Sequence, residues 1–179
     1  EFVSTIETFF PGASGMPIVQ FNAGKIVIGS FKQALIISLF FLILFLFLIF
    51  RKVNDVLVCL SSLVCAFILT IFFMIVLKLN FNFANMIAIP LLFSLGVSYP
   101  IYFIKRFDEL GDFKKLFSSN TPLAILFSGL TTIFSFSTLF FSSHNGTSSM
   151  GLLLFISLSS TLITSLILLP IFIKIFRIK

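Results

Sequence analysis

Five apolar runs, each at least 18 residues long, decide what this chain can fold into: about Gln33–Phe50, Val56–Leu77, Phe83–Ile104, Leu123–Phe141 and Met150–Ile173. At 1.5 Å per residue, a helix of that length crosses the roughly 30 Å hydrocarbon core of a bilayer. Helices are the form open to such runs, because an unpaired strand would leave its amides without partners in lipid. The sequence therefore predicts an all-α membrane protein built on a five-helix transmembrane bundle. Composition agrees: 59% of the 179 residues are hydrophobic and 10% charged, where a soluble domain carries about 25% charged residues. Such a chain can build a core but cannot cover its outer surface with polar groups.

Polar turns separate the runs: Arg51 to Asp55, Lys78-Leu79-Asn80, Lys105 to Lys115, and Ser142 to Gly146. Thr121 is expected to cap the fourth helix and Pro122 to occupy its first position. Residues 1–30 have ordinary soluble composition, with a turn-rich Pro11 to Pro17, a short strand at Ile18–Phe21, and an amphipathic approach to the membrane from Lys25 to Lys32. The predicted organisation is the end of a domain outside the membrane (1–30) followed by a five-helix transmembrane domain (31–179), as a piece of a longer protein.

Orientation follows from basic residues. Alternating loops place Arg51, Lys52, Lys105, Arg106, Lys114, Lys115, Lys174, Arg177 and Lys179 on one side, and Lys25, Lys32 and Lys78 on the other, nine against three. The positive-inside rule makes the first side cytoplasmic. The amino-terminal segment and the His144 turn then lie outside. Membrane orientation accounts for the net charge of +6, and no nucleic-acid partner is expected.

Little here suggests bond-making chemistry. The acids Glu1, Glu7, Asp55, Asp108, Glu109 and Asp112 are all expected outside the spans, whereas proton-driven transporters place acids or histidines inside them. His144 stands alone in an exposed turn, without a second ligand or a nearby acid for a catalytic triad. Cys59 and Cys65 sit six apart in an apolar run, a spacing suited neither to zinc nor to a redox pair. No enzyme activity, metal or cofactor is expected.

The candidate functional residues are those that break or polarise the spans. Pro90 and Pro100 each remove a helix hydrogen bond, and Gly96 permits close helix approach. Broken helices line cavities in transporters; a packing kink is the plainer reading. The fourth span carries Thr131, Thr132 and Ser135, and the fifth carries Ser157, Thr161 and Thr164. Such hydroxyls either join helices, at about 0.6 kcal/mol each, or line a hydrated path.

Two stretches carry a family resemblance. Asn82 to Val97, containing Asn85, Pro90 and Gly96, resembles the signature of the fourth and tenth helices of resistance–nodulation–division (RND) transporters, in their MMPL branch. The turn Ser142-Ser143-His144-Asn145-Gly146, running on to Gly151, resembles the turn before the last helix of hopanoid transporters of the HpnN type. Gly15-Met16-Pro17 resembles the step by which the family's second periplasmic domain enters the membrane. The resemblance implies twelve helices in two similar halves, this chain supplying the last five. It also implies a homodimer, the N-terminal half as a partner, and membrane lipids as surroundings and cargo. Family members commonly carry a proton-relay acid where this chain has Ser98, followed by Tyr99 and Pro100, so coupling is expected from the first half.

The expected function is a fragment of a bacterial inner-membrane lipid exporter that moves hopanoid-like lipids toward the outer membrane. The amino-terminal segment would be periplasmic and the C-terminus cytoplasmic. Two alternatives stay open: a lipid-sensing or scaffold module, as in sterol-sensing domains, and an inert truncated relic.

Overall fold

The computed structural model describes residues 15–79 and 82–177. The turn expected at Pro11–Ser14, Asn80 and Lys179 lie outside the described residues. Every regular element described is helical: α1 (Met16–Phe50), α2 (Val53–Val76), α3 (Phe83–Gly96), α4 (Ser98–Leu110), the short α5 (Phe113–Ser118), α6 (Thr121–Ser137), α7 (Asn145–Ile163) and α8 (Leu169–Arg177). A 3-10 turn at Thr138–Phe141 extends α6, and a π stretch at Thr164–Leu168 joins α7 to α8. Together they make five helices long and apolar enough to cross a membrane.

The chain divides into two compact units after Phe41. In the first, α1 already runs through Ile18–Phe21, so the short strand expected there is a helix instead. Pro17 falls in the first turn, where its missing N–H costs little, and the amide of Val19 already donates to the Gly15 carbonyl at 3.0 Å. Lys25 Nζ rests 4.4 Å from the centroid of the Phe21 ring, one helical turn back.

In the second unit α7 is the central helix. It packs on α3, α6 and α2, while α8 packs on α2 and α4 on α6. The middle of the α7–α8 span is 61% buried, more than the 47% of the α3–α4 span that follows it in rank. Apolar burial is continuous from Leu46 and Phe50 through Val58, Cys59 and Leu63 to Phe103, Ile104, Leu158 and Leu169. Lys105 ties the end of α1 to α4: its Nζ donates to the Ile49 carbonyl at 2.9 Å and lies 5.6 Å from the Phe50 ring. α1 stops there as Arg51 takes a left-handed φ of 56°.

Helix ends differ from the hydropathy limits for local reasons. α2 begins at Val53 and takes in Asp55, which is buried. The positive end of a helix favours a carboxylate in its first turn, so the expectation that no acid lies within a span needs correction. Asp55 belongs to the second spanning helix, and Asp108 and Glu109 end the third. Asn82 caps α3, its Oδ1 accepting from Asn85 N–H at 2.9 Å. Asp112 caps α5 through Lys114 N–H at 3.0 Å. Asn120, which precedes α6, makes no side-chain cap bond; Thr121 lies inside the helix, and its N–H donates to Ser119 Oγ at 3.3 Å.

Glycines set the closest approaches around α7. A Cβ on Gly151 would meet the backbone nitrogen of Phe140 at 2.4 Å, whereas one on Gly129 would meet only the tip of Leu162, at 2.6 Å. Backbone cannot yield as a leucine methyl can, so Gly151→Ala should lower stability in detergent by about 1–3 kcal/mol. Gly129→Ala, helped by the better helix propensity of alanine, should change it by no more than about 1 kcal/mol. Thermal unfolding of both variants checks the order; equal losses would remove the special role given to the Gly151 contact.

Candidate functional site

The residues singled out on the third span do not act as a string of breaks. α3 continues through Pro90, and the interruption is confined to Val97. Pro100 supplies the reason. Lacking an N–H, it leaves the Gly96 carbonyl without its usual donor and crowds it, while the neighbouring bonds Val97 N–H to Phe93 O and Ile101 N–H to Val97 O persist at 3.2 and 3.3 Å. Pro100 itself falls in the first turn of α4. Gly96 sits against Thr161 of α7, whose Cγ2 would lie 2.6 Å from an added Cβ. Small residues let membrane helices approach in this way.

Hydroxyl bonding is mostly local. Thr131, Thr132, Ser135 and Thr161 each donate to a carbonyl four residues back on their own helix, and Ser98, Ser157 and Thr164 to one three residues back. Others leave their own helix: Ser148 Oγ of α7 donates to Phe140 O of the 3-10 turn at 2.7 Å. Ser149 Oγ of α7 donates to Asn85 Oδ1 of α3 at 3.1 Å, and the Tyr99 side chain of α4 hydrogen-bonds that of Thr132 on α6. Asn85 is almost fully buried, at 1% exposure.

The polar residues of the fourth and fifth spans thus fall into two sets. Thr131 and Ser135 lie exposed on α6, while Ser157, Thr161 and Thr164 are buried. Ser98 and Tyr99 do meet other polar groups. With Tyr102, Asn120, Thr121 and Ser128 they line a cavity of about 400 Å³ between α4 and α6.

A larger groove, of about 540 Å³, opens between α2, α3 and α7. Phe67, Ile71, Met74, Leu92 and Leu153 wall it, Thr70 and Ser157 contribute to its lining, and Lys78 stands with them just past the end of α2. Its size falls within the about 300–1,000 Å³ of small-molecule sites. Of the sequence candidates only Ser157 reaches it. Lys78, a lone cation on its side of the second unit, was the signal available for the rest. Among the described residues no group of three or more His, Cys, Asp or Glu side chains converges on a metal position.

No family model matches the chain. The hopanoid transporter HpnN of Burkholderia multivorans is 36% identical over 178 residues, covering 99% of this chain and 20% of that protein. The hopanoid transporter HpnN of Rhodopseudomonas palustris is 35% identical over 162 residues, covering 90% of this chain and 18% of that protein. This chain is related to the hopanoid transporters. It spans about a fifth of the length of the curated relatives it matches. With five spanning helices, it is a multi-pass membrane protein.

Local and crossing bonds should separate by mutation. Asn85→Ala, which strands Ser149 at a buried helix contact, should cost about 1–2 kcal/mol. Thr131→Val, which removes only an exposed self-bonded hydroxyl, should stay within about 0.5 kcal/mol. Denaturation in mixed detergent micelles reads both; a larger loss for Thr131→Val would mean that the exposed α6 face has a protein partner.

Proposed function

We propose that this chain is the C-terminal membrane half of an RND-type lipid exporter of the bacterial inner membrane, moving hopanoid-like lipids toward the outer membrane. The observation that carries the reading is the identity to two hopanoid transporters over 90–99% of the chain. The five-helix count supports it, since each half of such a transporter ends in five helices. Residues 1–30 are then the end of a periplasmic domain and residues 31–179 the membrane domain. The nine-to-three distribution of basic residues supports a periplasmic amino-terminal segment and a cytoplasmic C-terminus. The N-terminal half of the transporter and a second copy of the whole are the protein partners of this reading.

Energy coupling belongs to the rest of such a transporter. The acids of the described spans lie at helix ends, and Ser98 at the relay position cannot carry a proton charge at neutral pH. Asn85, Pro90, Gly96 and Pro100 shape the third helix against α7, while Ser98 and Tyr99 present polar groups at the α4–α6 cavity. This half therefore shapes and packs the lipid path, and the proton step lies elsewhere.

Two experiments test the proposal. Deleting the gene should leave hopanoid-like lipids in the inner membrane at the expense of the outer, measured by lipid analysis of separated membranes. Unchanged distribution together with altered abundance of a partner protein would favour the lipid-sensing alternative. For the topology, a cysteine at Ser143 should react with a membrane-impermeant maleimide in intact spheroplasts, and one at Asp108 only after permeabilisation. The reverse pattern would invert the assigned orientation.

A further inference from the structure

The groove between α2, α3 and α7 combines two features that select a ligand. Its interior is apolar, and the two hydroxyls that line it are already engaged: Thr70 Oγ1 donates to Ala66 O at 2.8 Å and Ser157 Oγ to Leu154 O at 3.1 Å. Among the described lining residues neither hydroxyl has its proton free for a polar headgroup, and the walls suit hydrocarbon. The charge lies at the mouth. Lys78 follows the last turn of α2 with a left-handed φ of 51°, away from the ion pair of Arg106 with Glu109.

Dimensions agree with a single lipid leaflet. Along α2, Phe67 and the last helical residue Val76 are about 14 Å apart at 1.5 Å per residue, with Lys78 just beyond, which is about half of the roughly 30 Å hydrocarbon core. The groove therefore runs from headgroup level to about mid-membrane. Ile75 at its edge is 71% exposed, which leaves the mouth open toward the bilayer.

We infer that this groove seats one acyl chain of an anionic phospholipid, with the lipid phosphate paired to Lys78. The occupant is a resident membrane lipid rather than the transported cargo, and the site stands whether or not the protein exports lipid. An anionic headgroup meets Lys78, the one charged side chain among the described lining residues, while the chain fills a volume walled mainly by apolar side chains. A neutral polycyclic lipid would leave the ammonium without a counter-charge.

The chain contains no tryptophan, so a single introduced indole reports locally. In protein reconstituted into vesicles, Phe67→Trp places that reporter at the deep end of the groove, and Phe134→Trp places another on the exposed surface of α6. Brominated phosphatidylglycerol should quench the Phe67→Trp indole at about one-fifth the mole fraction required of brominated phosphatidylcholine, the advantage expected of one basic residue at a membrane surface. Adding Lys78→Gln should remove that difference, and Phe134→Trp should show none. Lys78 is exposed, so its replacement does not threaten folding. Equal quenching by the two lipids at Phe67→Trp, or a preference that survives Lys78→Gln, would overturn the inference. So would the absence of quenching by either lipid, which would mean that another protein segment fills the groove. Better displacement by a neutral polycyclic lipid than by phosphatidylglycerol would also overturn it, and would leave the export reading untouched.

Discussion

Helices in lipid gain little from hydrophobic association, because the solvent they leave is as apolar as their side chains. They hold together by approaching closely enough for dispersion contacts to accumulate. In this chain the approach is set around α7. Gly151 brings α7 against the backbone at Leu139 and Phe140, Gly96 brings α3 onto Thr161, and Gly129 brings α6 onto Leu162. The same helix supplies Leu153 and Ser157 to the large groove. Its placement therefore governs both the core and the cavity at its flank.

Backbone hydrogen bonding governs the rest. A serine or threonine can cross a membrane if its hydroxyl returns to a carbonyl of its own helix, and most of those here do. That is why Thr131 and Ser135 sit on an exposed face without a neighbouring helix. The departure from regular geometry in the last span has a similar origin. Pro170 removes the donor that would serve the Leu166 carbonyl, and directly before it the ladder shifts to i→i−5, with Leu169 N–H reaching Thr164 O. Within this stretch Ser165 Oγ is buried and makes no hydrogen bond, as is Ser62 Oγ in α2.

Hydropathy made the number of helices legible, since 18 apolar residues in lipid leave little choice of conformation. It left the ends illegible. Asp55 counts against a span on any hydropathy scale, yet the positive end of α2 accepts it. Ile18–Phe21 has strand-like composition, yet it continues the helix that the membrane segment imposes. Pro90 looked like a break, whereas the interruption lies at Val97, beside the Gly96 carbonyl that Pro100, four residues on, leaves without its donor. The groove was the least legible feature. Its lining comes from three helices, and nothing in Phe67, Thr70 or Leu153 marks them in one dimension. Ser157 was selected for its polarity, although its hydroxyl is committed to its own helix.

The distribution of charge limits what these helices can do by themselves. Asp55 begins α2, Asp108 and Glu109 end α4, and Arg51, Lys52, Lys105 and Arg106 lie at the same helix ends. Ionisable side chains therefore meet the membrane at its edge, while its middle holds apolar side chains, self-bonded hydroxyls and the Asn85–Ser149 contact. Moving a proton through a bilayer needs groups that change charge within it, and a buried hydroxyl does not do so at neutral pH. Packing of this kind suits a rigid wall with a lipid-sized recess. A step that moves charge across the bilayer would need groups other than those these helices hold at mid-membrane.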